Sequence, residues 1–355
     1  MEGKKKLLLI NNGYPSSEIP NYTTYIKTIY ECLVKAKLDV EILAITYHKL
    51  SIFHKFKKYL LFWRSLLVKN ISTYDIIYIN HPPFCFPIFL NRTLYKRTVY
   101  LHWHGSELVS NNLFIKSFLF IINNKTNILY QIVPSLYFKQ ILKAKISLND
   151  NMIFITPSGG VDTQLFHPNV ERYNEDKFIL GFSSALTSSK GFDIVIEIAR
   201  KRHFIEDKIK KKIEFHIINY GHNSGYYVNL IKDEKIPFKI YEKMGKNKMP
   251  QFYQSIDILL MPSTRIGESL GLVALEAMSC NIPVITYNIC AFPEFIIHKM
   301  SGERVEKSKN IDCDVDNFIS AIIMVISNYS AYKPREIIID KYSTDYVIQQ
   351  YEKYL

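Results

Sequence analysis

Hydrophobic and polar positions alternate along this chain as short apolar runs separated by longer amphipathic segments. Short runs rich in β-branched residues, joined by helix-length segments, are typical of βαβ units with parallel strands. Eleven runs have the length and composition of strands: Lys6–Asn11, Val40–Ile45, Asp75–Asn80, Thr98–His102, Ile128–Val133, Met152–Ile155, Phe178–Ser183, Glu214–Ile218, Phe238–Tyr241, Asp257–Met261 and Pro283–Thr286. The pattern predicts an α/β protein with two Rossmann-like domains.

The two predicted domains meet where Gly, Pro and charged residues cluster, at Gly159–Lys177. We assign residues 1–168 to an N-terminal domain and residues 169–339 to a C-terminal domain. Ligands of such parallel sheets bind at the carboxyl ends of the strands. Two facing domains of this kind would therefore hold ligands in the cleft between them.

The net charge of +12 is unevenly distributed between the two halves. Residues 1–168 contain 20 Lys and Arg against 9 Asp and Glu, whereas the remainder contains 25 against 24. A basic half joined to a nearly neutral half indicates that the first faces an anionic partner, which could be nucleic acid, a phosphorylated acceptor or an acidic membrane surface.

One segment of the basic half, Lys49–Asn70, combines apolar residues at near-helical spacing with several Lys and Arg residues. The apolar positions are Ile52, Phe56, Tyr59, Leu60, Trp63, Leu66 and Leu67. This composition is typical of a helix lying on anionic lipid, but a helix that buries its apolar stripe against its own sheet gives the same pattern. Both interpretations stay open at this stage.

No apolar stretch approaches the roughly 18 to 20 residues of a membrane-spanning helix. The nearest is Leu113–Ile122, which contains a lysine, and the apolar run near the N-terminus is too short for a signal peptide. Five scattered cysteines suit a reducing compartment. We therefore expect a cytoplasmic protein that is soluble or peripherally attached to the inner face of the membrane.

The segment Thr264–Asn288 places two glutamates, Glu268 and Glu276, in an otherwise apolar run. A helix is predicted to begin near Leu270, and the N-terminus of a helix at the carboxyl end of a strand binds anions through its backbone N–H groups and its dipole. Gly271 allows a ligand to approach the backbone closely. One carboxylate suits the vicinal diol of a ribose, and the other would reach beyond the phosphates, so a nucleoside diphosphate carrying a sugar fits the spacing.

The same segment resembles the E-x7-E signature of retaining glycosyltransferases of the GT-B fold, family 4. Further segments resemble motifs of that family in the expected order: "GGVDTQLFHP", "KGFDIVIEIA" and "MPQFYQSIDILLMPS". The resemblance covers most of the chain and implies two Rossmann-like domains facing across a cleft. It also implies that the last helix, at about residues 340–355, packs back on the first domain.

The resemblance assigns the donor contacts to the second domain. Lys190 would bind the diphosphate, Glu268 the hydroxyls of the donor sugar and Glu276 the ribose. The backbone of the helix start would contact the phosphates, through Ser269, Leu270, Gly271 and Leu272. The family's arginine before Lys190 is absent, and Arg265 could replace it. The loop around Met244 is predicted to lie near the nucleobase.

In the first domain the resemblance points to Gly13, in the loop after the first strand, and to a histidine in the cleft. His104 matches that histidine best, with His102 as the alternate. Two histidines at this spacing could be metal ligands, but no third ligand is evident, and "DCDVD" at Asp312–Asp316 is better explained as a solvated helix cap. We therefore expect no metal and no cofactor besides the donor substrate.

The predicted activity is transfer of a sugar, with retention and without a metal, from a UDP- or GDP-linked donor to a glycan acceptor. The acceptor is expected to be lipid-linked, in bacterial O-antigen or capsule synthesis, with the basic domain on an anionic membrane. Two alternatives stay open: a non-hydrolysing nucleotide-sugar epimerase, and a non-catalytic protein that binds nucleotides or nucleic acid. The glutamate pair and Lys190 argue against nucleic acid as a partner, because binding to nucleic acid needs neither.

Overall fold

The computed structural model describes residues 4–19, 22–47, 51–169 and 176–355. These residues form two compact units, one extending to Gly160 and including Thr344–Leu355, the other spanning Val161–Ser343. The first unit thus ends before residue 168, where we had placed the boundary. The reason is local: Arg335 donates to the carbonyls of Thr163 and Phe166, and Gln254 donates to the carbonyl of His167, so this segment packs within the second unit.

The first unit is built on a six-stranded parallel sheet with strand order β2-β1-β3-β4-β5-β6. Its strands are β1 (Lys6–Tyr14), β2 (Asp39–Thr46), β3 (Ile76–Asn80), β4 (Thr98–His102), β5 (Leu129–Val133) and β6 (Ile153–Ile155). Its first five helices are α1 (Thr24–Lys35), α2 (Ile52–Val68), α3 (Ser106–Val109), α4 (Leu113–Asn123) and α5 (Leu136–Lys143). Leu7, Leu8, Leu9 and Ile10 are fully buried, as expected for a strand covered on both faces.

The second unit repeats this arrangement with strand order β12-β11-β10-β7-β8-β9, again all parallel. Its strands are β7 (Lys177–Phe182), β8 (Lys212–Asn219), β9 (Phe238–Glu242), β10 (Ile258–Met261), β11 (Val284–Tyr287) and β12 (Gly302–Val305). Its helices are α6 (Phe192–Arg200), α7 (Arg202–Ile209), α8 (Ser224–Asp233), α9 (Met249–Tyr253), α10 (Leu272–Ser279), α11 (Ile311–Ser327) and α12 (Pro334–Lys341). The last helix, α13 (Thr344–Tyr354), belongs to the first unit.

Eleven strands were predicted and all are present, with ends that differ from the prediction by at most three residues. The twelfth, β12, was missed because its four residues include Gly302, Glu303 and Arg304 and so lack an apolar run. Glu303 is nevertheless buried, where it accepts hydrogen bonds from the Tyr332 hydroxyl (2.5 Å) and the Lys299 N–H (3.0 Å). These bonds stabilise a carboxylate at a position that periodicity assigns to the surface.

Alternate residues of the first sheet enter two cores, one on each face. Helices α1 and α13 cover one face, where Val347 and Tyr351 of α13 are buried and the Tyr78 and Tyr351 hydroxyls lie 3.1 Å apart. Helices α2, α4 and α5 cover the other face. In the part of the chain that the structure describes, no helix combines the length and the apolar character needed to span a membrane.

Candidate donor and acceptor sites

The candidate donor site lies at the carboxyl ends of adjacent strands of the second unit, where two loops are held together. A 3₁₀ turn, Ser188–Lys190, follows β7, and its Ser189 carbonyl accepts the Thr264 N–H from the loop after β10 (3.2 Å). Gly191 has φ +79°, and a Cβ there would lie 2.0 Å from the Pro262 carbonyl oxygen. Only glycine permits this backbone contact, which brings Lys190 to the loop that carries Glu268.

Lys190 and Glu268 form an ion pair, although they are distant in the sequence. The Lys190 Nζ lies 2.5 Å from Glu268 Oε2, and the Ser263 hydroxyl lies 3.5 Å from the same oxygen. Both side chains are largely buried, with 15% and 16% of their surface exposed. The positive charge of Lys190 is thus balanced by the carboxylate of Glu268, and the resemblance assigns both residues to the same donor.

Helix α10 begins beside this pair. Its preceding residue, Gly271, has φ +60°, and a Cβ there would meet the Met261 side chain at 2.8 Å and the Phe292 ring at 2.9 Å. The predicted phosphate-binding backbone, Ser269–Leu272, therefore forms the turn into the helix. The first N–H groups of a helix have no partner within it, so this turn offers backbone donors at the start of α10.

Glu276 lies in α10 and accepts a hydrogen bond from the Tyr253 hydroxyl (2.9 Å). Burial raises the pKa of Glu276 to about 7, although the Tyr253 hydrogen bond and the charge of Lys246 oppose the shift. Burial, together with the charges of Glu268 and Glu276, also raises the pKa of Tyr220 to about 12. The Tyr220 hydroxyl donates to the Ser183 carbonyl, just after β7, at 3.1 Å.

Three of these residues, Tyr220, Tyr253 and Lys246, were not predicted as site residues. Tyr253 lies within the motif-like run "MPQFYQSIDILLMPS", which was a usable signal, whereas Tyr220 and Lys246 had none beyond following predicted strands. Met244 is partly buried in the same loop as Lys246, after β9. Arg265 is exposed in the loop that carries Glu268, and its role toward the diphosphate stays a prediction.

The first unit contains a second polar cluster at the carboxyl ends of β1, β3 and β4. Gly13 lies near the end of β1, and His104 follows β4. The Nε2 of His104 lies 2.9 Å from the Asn80 amide oxygen, and its ring stacks on His102 with centroids 4.2 Å apart. His102 is buried in β4, with Nδ1 2.8 Å from the Tyr78 hydroxyl.

Two histidine rings of this cluster, those of His102 and His104, are held in their neutral form. Burial, with the neighbouring His102 and His81, holds the pKa of His104 well below its usual range. Burial and His81 also lower the pKa of His102, to about 3. A neutral His104 can exchange hydrogen bonds with a sugar hydroxyl without repelling a cationic group or attracting phosphate.

Glu107, which was not predicted, organises the histidine cluster. It is 2% exposed and accepts the His104 backbone N–H (2.8 Å), while His81 Nδ1 lies 3.1 Å from the same carboxylate oxygen. Burial acts to raise the pKa of Glu107, but the charge and hydrogen bond of His81 and backbone N–H groups hold it below its usual value. The Tyr25 hydroxyl lies 2.5 Å from the other ring nitrogen of His81. The only sequence signal was the position of Glu107 in the first turn of α3.

Replacing Glu107 with alanine will lower the free energy of unfolding by about 1–3 kcal/mol, because two partly buried donors lose their acceptor. Glutamine keeps one acceptor oxygen and will cost less. Both tryptophans, Trp63 and Trp103, lie in the first unit, so tryptophan fluorescence during urea unfolding reports on that unit. Glu31→Ala, on the exposed side of α1, is the control. Equal losses for the alanine and glutamine variants would contradict this role.

Among the residues that the structure describes, no group of three or more His, Cys, Asp or Glu side chains is arranged to hold a metal ion. The Asp312–Asp316 segment differs from the solvated cap that we predicted. The cap of α11 is Asn310, whose side chain accepts the Asp312 N–H (2.8 Å). Asp314 is buried and accepts from the Tyr287 hydroxyl (2.8 Å), so it is a structural carboxylate.

Comparison with known proteins identifies the class to which this two-unit protein belongs. The family described as "Glycosyl transferases group 1" matches residues 164–341, half of the chain. The chain belongs to this family. The match contains Lys190, Glu268 and Glu276.

Individual proteins are similar to the chain over different lengths. It is 32% identical over 120 residues to the O-antigen biosynthesis glycosyltransferase WclY of Escherichia coli. These 120 residues are 34% of this chain, and the match covers 31% of WclY. The match thus spans about a third of the length of this relative.

Solved structures resemble the chain over nearly its whole length. Sucrose-phosphate synthase (tll1590) from Thermosynechococcus elongatus has a TM-score of 0.75 at 14% identity, covering 99% of this chain and 98% of that one. Anabaena Alr3699/HepE in complex with UDP and glucose has a TM-score of 0.69 at 16% identity, covering 98% of both chains. At these identities the likeness establishes the fold, which is GT-B.

Proposed function

We propose that this protein is a retaining glycosyltransferase that moves a sugar from a nucleotide-sugar donor to a glycan acceptor. The observation that carries the proposal is the Lys190–Glu268 pair beside the N-terminal turn of α10. A lysine and a row of backbone N–H groups bind a diphosphate, and a carboxylate beside them accepts hydrogen bonds from sugar hydroxyls. The donor is thereby held at both ends of the bond that breaks.

Bond cleavage places additional negative charge on the leaving nucleoside diphosphate. Lys190 and the turn Ser269–Leu272 would stabilise this charge most strongly in the transition state, so no metal is required. The family resemblance supports attack from the same face as departure, with the leaving phosphate helping to deprotonate the acceptor hydroxyl. Glu268 would then position the donor sugar and need not form a covalent bond to it.

Glu276 would bind the ribose of the donor. An ionised carboxylate can accept hydrogen bonds from both hydroxyls of a vicinal diol, and the Tyr253 hydroxyl holds Glu276 in α10. The base would lie near the loop containing Met244, with Arg265 available to the diphosphate. UDP is the donor nucleotide that we favour, because the structurally similar Anabaena Alr3699/HepE is described with UDP and glucose.

The first unit would bind the acceptor. His104, neutral and held by Asn80, would face a sugar hydroxyl, with Gly13 on the same edge of the sheet. Similarity to WclY favours an acceptor in O-antigen or related surface-polysaccharide synthesis. The charge of the first half favours a lipid-linked acceptor at an anionic membrane surface, on its cytoplasmic face.

The proposal is tested by incubating donor with and without acceptor. We expect a glycosylated product with the anomeric configuration of the donor only when acceptor is present, and no new sugar from donor alone. An epimerised sugar in the donor-only sample would instead establish the epimerase alternative.

Glu268→Gln should leave donor affinity, measured by thermal shift, within a few fold while transfer falls by roughly 10²-fold or more. Unchanged turnover would remove Glu268 from the site.

A further inference from the structure

The positive charge of this chain is concentrated in one region of the first unit. Residues 42–149 contain 14 Lys and Arg but only two Asp and Glu, a net charge of +12 that equals the charge of the whole chain. One of the two carboxylates, Glu107, is buried, and the other, Asp75, lies immediately before β3. Helices α2 and α4 contain no carboxylate at all.

Both helices expose large apolar side chains on their outer surfaces. In α2, Phe53 is 86% exposed and Phe56 66%, and in α4, Phe120 is 76% exposed and Ile121 58%. The other exposed apolar residues of the two helices are Ile52, Leu60, Leu61, Leu67, Val68, Leu113 and Phe114. A helix covering a sheet normally presents a polar outer face, and apolar residues clustered in this way mark an interaction surface.

The apolar residues of α2 divide into a buried set and an exposed set. This division bears on whether the helix buries its apolar stripe against its own sheet or lies on lipid, which its sequence left open. Of the stripe named from the sequence, Leu66 is buried, whereas Ile52, Phe56, Leu60 and Leu67 are exposed. Packing against the sheet uses Leu66 and Phe62, with Tyr59 and Trp63 partly buried against the same core. The exposed apolar residues are therefore additional to those that packing against the sheet requires.

The two helices form one continuous surface. Both pack on the same face of the sheet, α2 through Phe62 and Leu66 and α4 through Phe118 among others. Aromatic contacts connect them through the 3₁₀ segment Pro82–Leu90. The Trp63 and Phe86 rings lie 5.1 Å apart, and the Phe86 and Phe114 rings 5.7 Å apart. Leu90, at the end of that segment, is 68% exposed.

We propose that α2, the segment Pro82–Leu90 and α4 together bind the surface of an anionic lipid bilayer. This inference rests on the proposed lipid-linked acceptor and adds α4 as a second membrane-binding helix. Phe120 and Ile121 would enter the boundary between head groups and acyl chains together with Phe53 and Phe56, while Lys57 and other basic residues contact lipid phosphates.

Charge favours lipid over a second copy of this chain as the occupant of the surface. In a symmetric dimer, each copy would present the basic residues of α2 to those of its partner, and neither α2 nor α4 supplies a carboxylate to pair with them. An anionic bilayer supplies the opposite charge over a large area. Each basic residue near such a surface raises binding by about fivefold.

The test is cosedimentation of the full chain with vesicles of phosphatidylcholine containing a quarter phosphatidylglycerol, compared with phosphatidylcholine alone. We expect binding to the anionic vesicles that weakens as salt is raised. The double variant Phe120→Ser with Ile121→Ser should bind at least tenfold more weakly, and Lys57→Gln with Lys58→Gln should bind about 25-fold more weakly and with a smaller salt dependence. Phe204→Ser changes an exposed aromatic residue of the second unit, is the control, and should bind as the wild type does.

Three outcomes would overturn the inference: equal binding to neutral vesicles, undiminished binding of the Phe120 and Ile121 variant, or a lipid-free dimer that this variant dissociates. Undiminished binding of the α4 variant together with loss in the α2 variant would confine lipid binding to α2. Transfer to a water-soluble acceptor, assayed without vesicles, should be unaffected by the α4 change. That assay separates failure of this inference from failure of the proposed activity.

Discussion

Replacing Lys190 with alanine will lower the turnover number by about 10²–10³-fold, the usual cost of removing one charge-stabilising donor from a transition state. Lys190 is the cation in contact with Glu268, and Gly191 holds its backbone against Pro262, so a neighbouring side chain cannot easily take its position. Initial rates at saturating donor and acceptor measure the effect.

The variant needs a folding control, because it leaves the largely buried Glu268 carboxylate without its lysine. Thermal unfolding should therefore accompany the kinetics, and the double variant Lys190→Ala with Glu268→Gln should recover stability without recovering turnover. Lys201→Ala is the matched control, since Lys201 pairs with Asp316 on the surface of the same unit. A Lys190→Ala enzyme with near-normal turnover would show that the diphosphate binds elsewhere.

The KM for the donor will fall as the pH is raised from 6 to 8. Burial raises the pKa of Glu276 to about 7, so the carboxyl group is mostly protonated at pH 6 and mostly ionised at pH 8. Only the ionised form accepts hydrogen bonds from both ribose hydroxyls without competing as a donor. Glu276→Gln should raise the KM at pH 8 by about 10- to 100-fold, from the loss of hydrogen bonds to a charged group, and should remove the dependence on pH.

Raising the pH is expected to strengthen donor binding but to lower the stability of the fold, which gives an independent check. The pKa of Glu276 is raised from 4.5 in the unfolded chain, so the folded protein binds the additional proton between that pH and about 7. The Glu276 contribution to the free energy of unfolding is therefore fully present below pH 4.5 and is lost as the pH rises through 7. Thermal unfolding of Glu276→Gln should lack this decline. A variant that keeps it would assign the titration to another group.

The strands were predictable because a strand buried on both faces requires an apolar run, whatever its contacts. β12 shows the limit, since Glu303 is buried there through hydrogen bonds to residues that a local pattern does not include. The roles of Glu268 and Glu276 could be proposed from their spacing around the start of a helix. The contacts that these carboxylates make could not be predicted from the sequence, because Lys190 and Tyr253 contact them only through the packing of separate loops and helices.

The histidine cluster shows the same limit more sharply. His104 was predicted from a family-like position, but Glu107 and His81 become relevant only because β3 and β4 are neighbours in the sheet. The prediction for Asp312–Asp316 was wrong in the opposite sense. The acidic run was expected to be solvated, but Asp314 is buried and accepts a hydrogen bond from Tyr287. Sequence patterns indicate which residues are apolar, whereas the hydrogen-bond donors that a buried carboxylate requires are supplied by the tertiary structure.

The ion pair between Lys190 and Glu268 has a consequence for the order of events in a reaction cycle. Under the proposed roles, a complete donor would replace both halves of the pair, because its diphosphate would contact Lys190 and its sugar hydroxyls would contact Glu268. After transfer, the nucleoside diphosphate would still contact Lys190 but would have no hydroxyl for Glu268 to bind. The carboxylate then competes with the spent nucleotide for the same ammonium group, so under the proposed roles re-formation of the pair would help to expel the product.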